Sequence, residues 1–395
     1  MDKQLRIGIA CFPSVGGSGV VATELGRELA RIGHKIHFIS NQVPFRLDQP
    51  EFFETIYYHE VESVRYEAMS AQSYGFELSS KMIQIAMDEK LDLLHAHYAV
   101  PMAISGILAK EVLKPRNLRI VTTLHGTDIT LVGRAPSFFP LTKWAIEHSD
   151  AVTTVSNWLR ERTYEEFEVD KPIHVIHNFV DTVRFAPGRS RCHRAHFARP
   201  DEKIIMHLSN FRPVKRIQDV VRTFARIVEK VPARLLLIGD GPEREHCLDL
   251  ARNLGVMDRT YFLGKQNLIE NYFAISDLFL FPSEYESFGV AALEAMSTEV
   301  PVVATLGSGL SEVVEDGKTG FLRPVGDIEG LAEASVKILT DAVLAKSMAD
   351  AGRRRATNCF QAHRIRDKYM SIYNSVIEGT EPQLGAPCVE TLPVG

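Results

Sequence analysis

Phe281-Pro-Ser-Glu-Tyr-Glu-Ser-Phe-Gly-Val-Ala-Ala-Leu-Glu-Ala-Met296 joins the end of an apolar run, Asp277-Leu-Phe-Leu-Phe281, to a run of small and aliphatic residues. The first run reads as a buried strand and the second as a helix that is apolar nearly all round. Ser287 and Gly289 fall at the junction. A loop that tightens there brings unpaired helix N–H groups and the positive end of the helix dipole to one point, a seat for phosphate.

Two carboxylates, Glu286 in the loop and Glu294 on the helix, stand eight positions apart. Either alone reads most simply as a solvated side chain, since charged residues mostly lie on surfaces. A carboxylate on a helix this apolar, however, needs a partner or a ligand. If the span were all helix it would cover about 12 Å, roughly the extent of a nucleotide sugar from hexose to ribose. One carboxylate could then hold sugar hydroxyls and the other the ribose. Pro-Ser-x-x-Glu-Ser-Phe-Gly followed by Glu-x7-Glu resembles the signature of the retaining nucleotide-sugar glycosyltransferases of family 4. The resemblance implies an α/β chain with the GT-B fold, two doubly wound Rossmann-like domains facing across a cleft.

Composition bounds the alternatives. The 395 residues suffice for two domains, and 45% hydrophobic with 24% charged residues is a globular balance. A net charge of −5 argues against nucleic acid as a partner. Met1-Asp-Lys-Gln-Leu-Arg6 lacks a signal-peptide layout and no apolar run is long enough for a bilayer, so no integral membrane segment and a cytoplasmic location are expected. Cys11, Cys192, Cys247, Cys359 and Cys388 are scattered, which suits reduced thiols rather than a disulfide frame or zinc site. Assembly into a homo-oligomer stays open.

Arg6-Ile-Gly-Ile-Ala-Cys-Phe12, then Pro13-Ser-Val-Gly-Gly-Ser-Gly19, then a helical pattern from Val20 to Arg31 is the first βα turn of a doubly wound domain. Gly17 lets backbone approach a ligand and Ser18 adds a hydroxyl. The spacing is not the dinucleotide Gly-x-Gly-x-x-Gly, and no acidic residue ends the next strand, His34 to Ser40, so a nicotinamide dehydrogenase is the weaker reading. Further strands are expected at 91–97, 118–123 and 150–155, and ligands should bind beyond their carboxyl ends. Thr122-Thr-Leu-His-Gly-Thr-Asp128 places a hydroxyl, an imidazole and a carboxylate around a glycine turn, with Asp128 able to orient the His125 ring. Tyr98 could bind an acceptor or cover the sheet end. Arg134 could meet an acidic acceptor, although a solvated loop arginine is the simpler reading of it alone. Asn178 ends the strand that begins at Ile173.

The domains are expected at 1–181 and 203–361, joined by a linker at 182–202. An amphipathic helix at about 362–378 would return to the first domain, and the tail 379–395 is expected to be disordered. After the strand Lys203 to Ser209 comes Asn210-Phe-Arg-Pro-Val-Lys-Arg216, three cations at a strand-to-helix junction. That place favours diphosphate binding over a solvated face.

The resemblance to family 4 then assigns roles. Arg212 and Lys215 match its Arg-x-x-Lys pair and would grip a leaving UDP, with Asn210, Gly17, Ser287, Phe288 and Gly289 beside it and Gly264 and Lys265 framing the uracil. Glu286 would bind the sugar, Glu294 the ribose, and His125 the transferred sugar near the reaction centre. Ser18, Tyr98, Thr123, Arg134 and Asn178 would bind the acceptor. Fixed cations and helix-end amides could stabilise the departing phosphate, so no metal and no cofactor are expected. No pair of carboxylates suits double displacement, and front-face attack is preferred, the leaving diphosphate accepting the acceptor's proton. Longer runs, such as Ser209-Asn-Phe-Arg-Pro-Val-Lys-Arg216 and His97-Tyr-Ala-Val-Pro101, resemble the branch of the family that moves N-acetylglucosamine from UDP-GlcNAc to L-malate at the start of bacillithiol biosynthesis. The inositol phosphate transferases of mycothiol formation are the near alternative, and a UDP-sugar epimerase the alternative from another class.

Overall fold

The computed structural model describes residues 3–13, 16–47, 54–62, 74–188 and 190–385. The expected disorder from 386 onward, Cys388, and part of the first glycine loop lie outside the described residues. The chain divides into two compact units, one of residues 1–178 with the segment from Ala362, the other of Phe179–Gln361.

The first unit is a seven-stranded sheet of β1 Arg6–Ala10, β2 Lys35–Ser40, β3 Ile56–Glu60, β4 Leu93–His97, β5 Arg119–Leu124, β6 Ala151–Thr154 and β7 Ile173–Val175. Every pairing is parallel, in the order β3-β2-β1-β4-β5-β6-β7. The helices Ser18–Arg31, Tyr74–Asp88 and Ile104–Val112 connect the strands and bury their apolar stripes. Strands covered on both faces lose the alternation of a half-buried sheet. Thus all of Leu93 to His97 is buried, two histidines included.

The second unit holds β8 Lys203–Leu208, β9 Ala233–Ile238, β10 Thr260–Gly264, β11 Leu278–Phe281, β12 Val302–Thr305 and β13 Gly320–Arg323. They too are all parallel, in the order β10-β9-β8-β11-β12-β13. Its core gathers Ile205, Phe224, Leu235, Leu280, Val303 and Leu331 from strands and helices alike. Strands β3, β12 and β13 were not expected from sequence. The last two are only four residues long and sit beside glycine-rich turns, which masks their pattern.

The stretch expected as a linker belongs to the second unit. Arg194 donates to the Ile275 carbonyl at 2.6 Å and to Asp277 at 2.6 Å, and Arg184 pairs with Glu270 at 3.0 Å. Those partners are far away in sequence, so a local reading sees only basic residues without period. The helix Ala362–Glu378 covers the first unit, burying Tyr369 and Tyr373 against β4 and β5. Cys11, Cys192 and Cys247 are free thiols, but Cys359 is disulfide-bonded, which departs from the expectation of five reduced thiols. Sequence spacing does not report which distant segments meet.

Candidate active site

Each sheet reverses its strand order once, between β1 and β4 in the first unit and between β8 and β11 in the second. At such a reversal the loops leaving the two strands part to opposite faces and open a crevice beyond their carboxyl ends. The residues after β1, β4, β8 and β11 are therefore the ones that topology presents to a ligand.

At the first crevice the loop after β1 ends at Gly17 (φ 52°), which opens the helix Ser18–Arg31. The Ser18 hydroxyl donates to the Tyr98 hydroxyl at 3.0 Å, joining the β1 and β4 loops. Tyr98 has φ 103°, a conformation a side chain resists. Strain of that kind persists only where surroundings over-determine it. Here the Tyr98 N–H is fixed on the Thr123 carbonyl at 3.0 Å and its ring packs against Phe12 and His125, with centroids 5.4 and 5.3 Å away.

Next along the sheet, after β5, lies the His-Gly-Thr-Asp turn. Asp128 is buried and accepts from the N–H groups of His125 (3.1 Å), Gly126 (2.9 Å) and Ala99 (3.2 Å). It clamps the turn to the β4 loop and does not orient the His125 ring, as had been expected. The ring's partner is His97, whose Nδ1 lies 2.9 Å from His125 Nε2. Burial raises the Asp128 pKa to about 6 despite those N–H donors. Burial lowers His125 to about 3, so its ring is neutral at physiological pH.

Thr123 is placed differently from the acceptor role expected of it. Its hydroxyl points into the interior, 2.7 Å from His95 Nε2 and 2.7 Å from Thr153 Oγ1, and is fully buried. Asn178 is buried, and its Oδ1 lacks a hydrogen-bond partner among the described residues. Arg134 forms a 3.0 Å ion pair with Glu166 and its side chain is 51% exposed. Gly133 ties that loop to the turn, since a Cβ there would meet the Asp128 carbonyl at 1.9 Å.

The second crevice is charged. The short turn Pro213–Lys215 follows β8, and the Glu284 N–H donates to the Val214 carbonyl at 2.8 Å, binding the β8 loop to the β11 loop. Lys215 Nζ lies 2.6 Å from Glu286 Oε1, with both side chains mostly buried. Arg212 and Asn210 are exposed, and Arg212 makes no ion pair among the described residues. Arg216 is held by Asp219, which also pairs with Arg222 at 3.1 Å.

Glu286 is braced from the β12 side as well. Its N–H donates to Ser308 Oγ at 3.2 Å, and its carbonyl accepts from the Gly309 N–H at 2.9 Å. Neither residue was singled out from sequence. The clue would have been that β12 neighbours β11, which places their loops together. Gly289 (φ 96°) opens the helix Val290–Ser297, and a Cβ there would strike Leu310 at 2.6 Å. Ser287 is half-buried, whereas Phe288 points into the core against Phe360, at a ring separation of 5.6 Å. Only the backbone of Phe288 can face a ligand. Glu294 is buried on that helix. Gly264 ends β10 and accepts from the Gly239 N–H at 2.8 Å, with Lys265 exposed beside it.

Comparison with known proteins gives consistent matches. Residues 15–184 match the family "Glycosyltransferase Family 4" and residues 189–355 match "Glycosyl transferases group 1". The chain is 46% identical over 375 residues to the N-acetyl-alpha-D-glucosaminyl L-malate synthase of Bacillus anthracis, covering 95% of this chain and 98% of that protein. It is 28% identical over 371 residues to the D-inositol 3-phosphate glycosyltransferase of Kribbella flavida, covering 86% of each. Among solved structures, Anabaena Alr3699/HepE in complex with UDP-glucose superposes with a TM-score of 0.79 at 19% identity, covering 94% of this chain and 100% of that one. At that identity the likeness speaks for the fold alone.

Proposed function

The chain is a glycosyltransferase of family 4 with the GT-B fold, and from that premise we propose that it transfers N-acetylglucosamine from UDP-GlcNAc to the hydroxyl of L-malate, opening bacillithiol biosynthesis. The observation that carries the proposal is 46% identity, sustained over 95% of the chain, to a synthase whose name specifies both groups. The inositol phosphate alternative has 28% identity behind it.

The chemistry follows from the charges. As the sugar departs, negative charge gathers on the diphosphate, and Arg212 and Lys215 with the N–H groups of Ser287 to Val290 provide the opposing field. Glu294 holds the ribose and Glu286 the sugar hydroxyls. Gly17, Asn210, Gly264 and Lys265 complete the donor contacts. The neutral His125 ring hydrogen-bonds the transferred sugar and takes no proton from the acceptor. The departing diphosphate oxygen, on the same face as the incoming hydroxyl, accepts that proton, and configuration is retained. These fixed cations do the work that other transferases leave to a divalent ion.

For the acceptor, Ser18, Tyr98 and Asn178 offer hydroxyl and amide contacts, and Arg134 a cation. A mass-spectrometric assay offering UDP-GlcNAc with L-malate or with inositol phosphate tests the reading. Glycosylated malate is expected, and product from inositol phosphate alone overturns it. Activity should survive EDTA, and the proton NMR coupling at the product's anomeric carbon should report the α configuration.

A further inference from the structure

Three histidine rings lie in a row in the first unit: His95 and His97 with ring centroids 4.2 Å apart, and His97 and His125 with centroids 5.1 Å apart. His95 is fixed at both nitrogens, by the Tyr373 hydroxyl at 2.8 Å and the Thr123 hydroxyl at 2.7 Å. The His97 ring lies with Nδ1 2.9 Å from His125 Nε2, and its own Nε2 is buried without a hydrogen-bond partner among the described residues. The ring of His97 is wholly inaccessible, while His125 is partly exposed.

We propose that His97 is a positioning residue that fixes His125 in the tautomer carrying its proton on Nδ1. Burial and the neighbouring rings push the His97 pKa well down, as burial does for His125, so both rings are neutral and each has one N–H. One hydrogen lies between the two nitrogens, and it has two places to be. If His125 Nε2 carried it, the proton of His97 would sit on Nε2, a buried N–H with no acceptor. If His97 Nδ1 carries it, the orphan is only a lone pair. Buried N–H groups without acceptors are the rarer kind of orphan. His97 therefore donates and His125 Nε2 accepts, which leaves the His125 proton on Nδ1.

The consequence deepens the proposed transfer and rests on His125 meeting the sugar. A ring that flipped between tautomers would present a donor part of the time and an acceptor the rest. A ring locked by His97 offers one N–H at one atom, so the hydrogen bond to the sugar needs no rearrangement when the donor binds. The strand makes this possible, because residues two apart on β4 share a face, which puts His95 beneath His97.

NMR of the full-length protein labelled with 15N-histidine reads the tautomer directly, and His125→Ala assigns the signal. The wild type should show His125 protonated on Nδ1, with or without UDP-GlcNAc. In His97→Leu the signal should shift to Nε2–H or to a mixture, with kcat falling about 10- to 100-fold and the UDP-GlcNAc KM moving less than about threefold. His97→Asn, whose amide places an N–H near the lost Nδ1, should restore the Nδ1–H form and part of kcat. A wild-type His125 protonated on Nε2 overturns the inference. So does a His97→Leu protein that keeps both tautomer and kcat. Should His97→Leu fail to fold, the wild-type tautomer still decides. Failure of the malate assay would leave that spectrum unchanged, so the two readings fail separately.

Discussion

The two crevices share a topology and differ in electrostatics. The one at β1 and β4 presents paired hydroxyls, a strained tyrosine and a row of histidines that burial keeps neutral, with the Asp128 carboxylate turned onto backbone N–H groups. The one at β8 and β11 is lined by ions: Lys215 on Glu286, Arg216 on Asp219, and Arg212 exposed. Glycosyl transfer asks for this division. The departing diphosphate needs a fixed positive field, while the attacking hydroxyl needs fixed polar groups that orient it. The same strand order thus serves opposite purposes, because the residues following the strands, and not the sheet, set the local charge.

The largest test of that contrast is acid. His95 and His125 have pKa values lowered to about 3, and His37 and His207 to about 4, against an ordinary value of 6.5. A lowered histidine pKa means that the unfolded chain takes up protons that the folded chain refuses. Stability is therefore full above pH 6.5 and is lost as pH falls towards 4. Each such group can weaken the folding equilibrium about tenfold per pH unit across that window. Asp128, raised to about 6, works the other way below pH 6, but it is one group against several. Urea melts at pH 7.5, 6 and 5 should show steep loss. Three of those four histidines lie in the first unit, so its signals should fail first as pH is lowered. Equal stability at all three pH values would erase the contrast.

On the charged side, Lys215→Ala should lower kcat by about 10²- to 10³-fold, the usual effect of deleting one donor to developing charge. Steady-state kinetics with saturating UDP-GlcNAc measures this, and a drop below about fivefold would remove Lys215 from the reaction. Glu294→Ala should act on binding instead. A lost hydrogen bond to a charged group is worth about 1.5–3 kcal/mol, most of which should appear as weaker UDP affinity in calorimetry. Unchanged UDP binding would take the ribose away from Glu294.

How much of this was legible in the chain depends on the range of each interaction. Apolar runs ending in glycine, serine or histidine marked most of the strands and both crevices, because strand ends and helix starts are local events. Arg212, Lys215, Glu286 and His125 were assigned to those strand ends that way, and the roles proposed for them came from the family resemblance. What stayed hidden was every partner brought in from a distance. His97 and His125 are 28 positions apart and Lys215 and Glu286 are 71, and only the sheet order makes them neighbours. Asp128 was misread for a different reason, since a carboxylate three residues from a histidine looks like its ring's partner until the backbone N–H groups of the same turn claim it. Thr123 looked accessible at a strand end, but Tyr369 and Tyr373 come from the far end of the chain to close over that part of the sheet.

The smallest effect discriminates most finely, because its two parts should have opposite signs. The Lys215 ammonium is paired with an anion, Glu286, at 2.6 Å. In the proposed reaction a diphosphate would compete with that carboxylate for the cation, so the ion pair would keep Lys215 in place yet weaken its hold on UDP. Glu286→Gln keeps the shape and removes the competing charge. It should tighten UDP alone by a few-fold, within the range of one partly buried ion pair. The same substitution should lower transfer from UDP-GlcNAc, because the sugar hydroxyls lose a charged acceptor. Calorimetry with UDP and kinetics with UDP-GlcNAc separate the two. If both fall together, Glu286 supports the fold of the loop and does not compete for Lys215. If UDP tightens while transfer falls, one carboxylate serves both as placeholder for the phosphate and as ligand for the sugar, a double use that the neutral crevice has no means to copy.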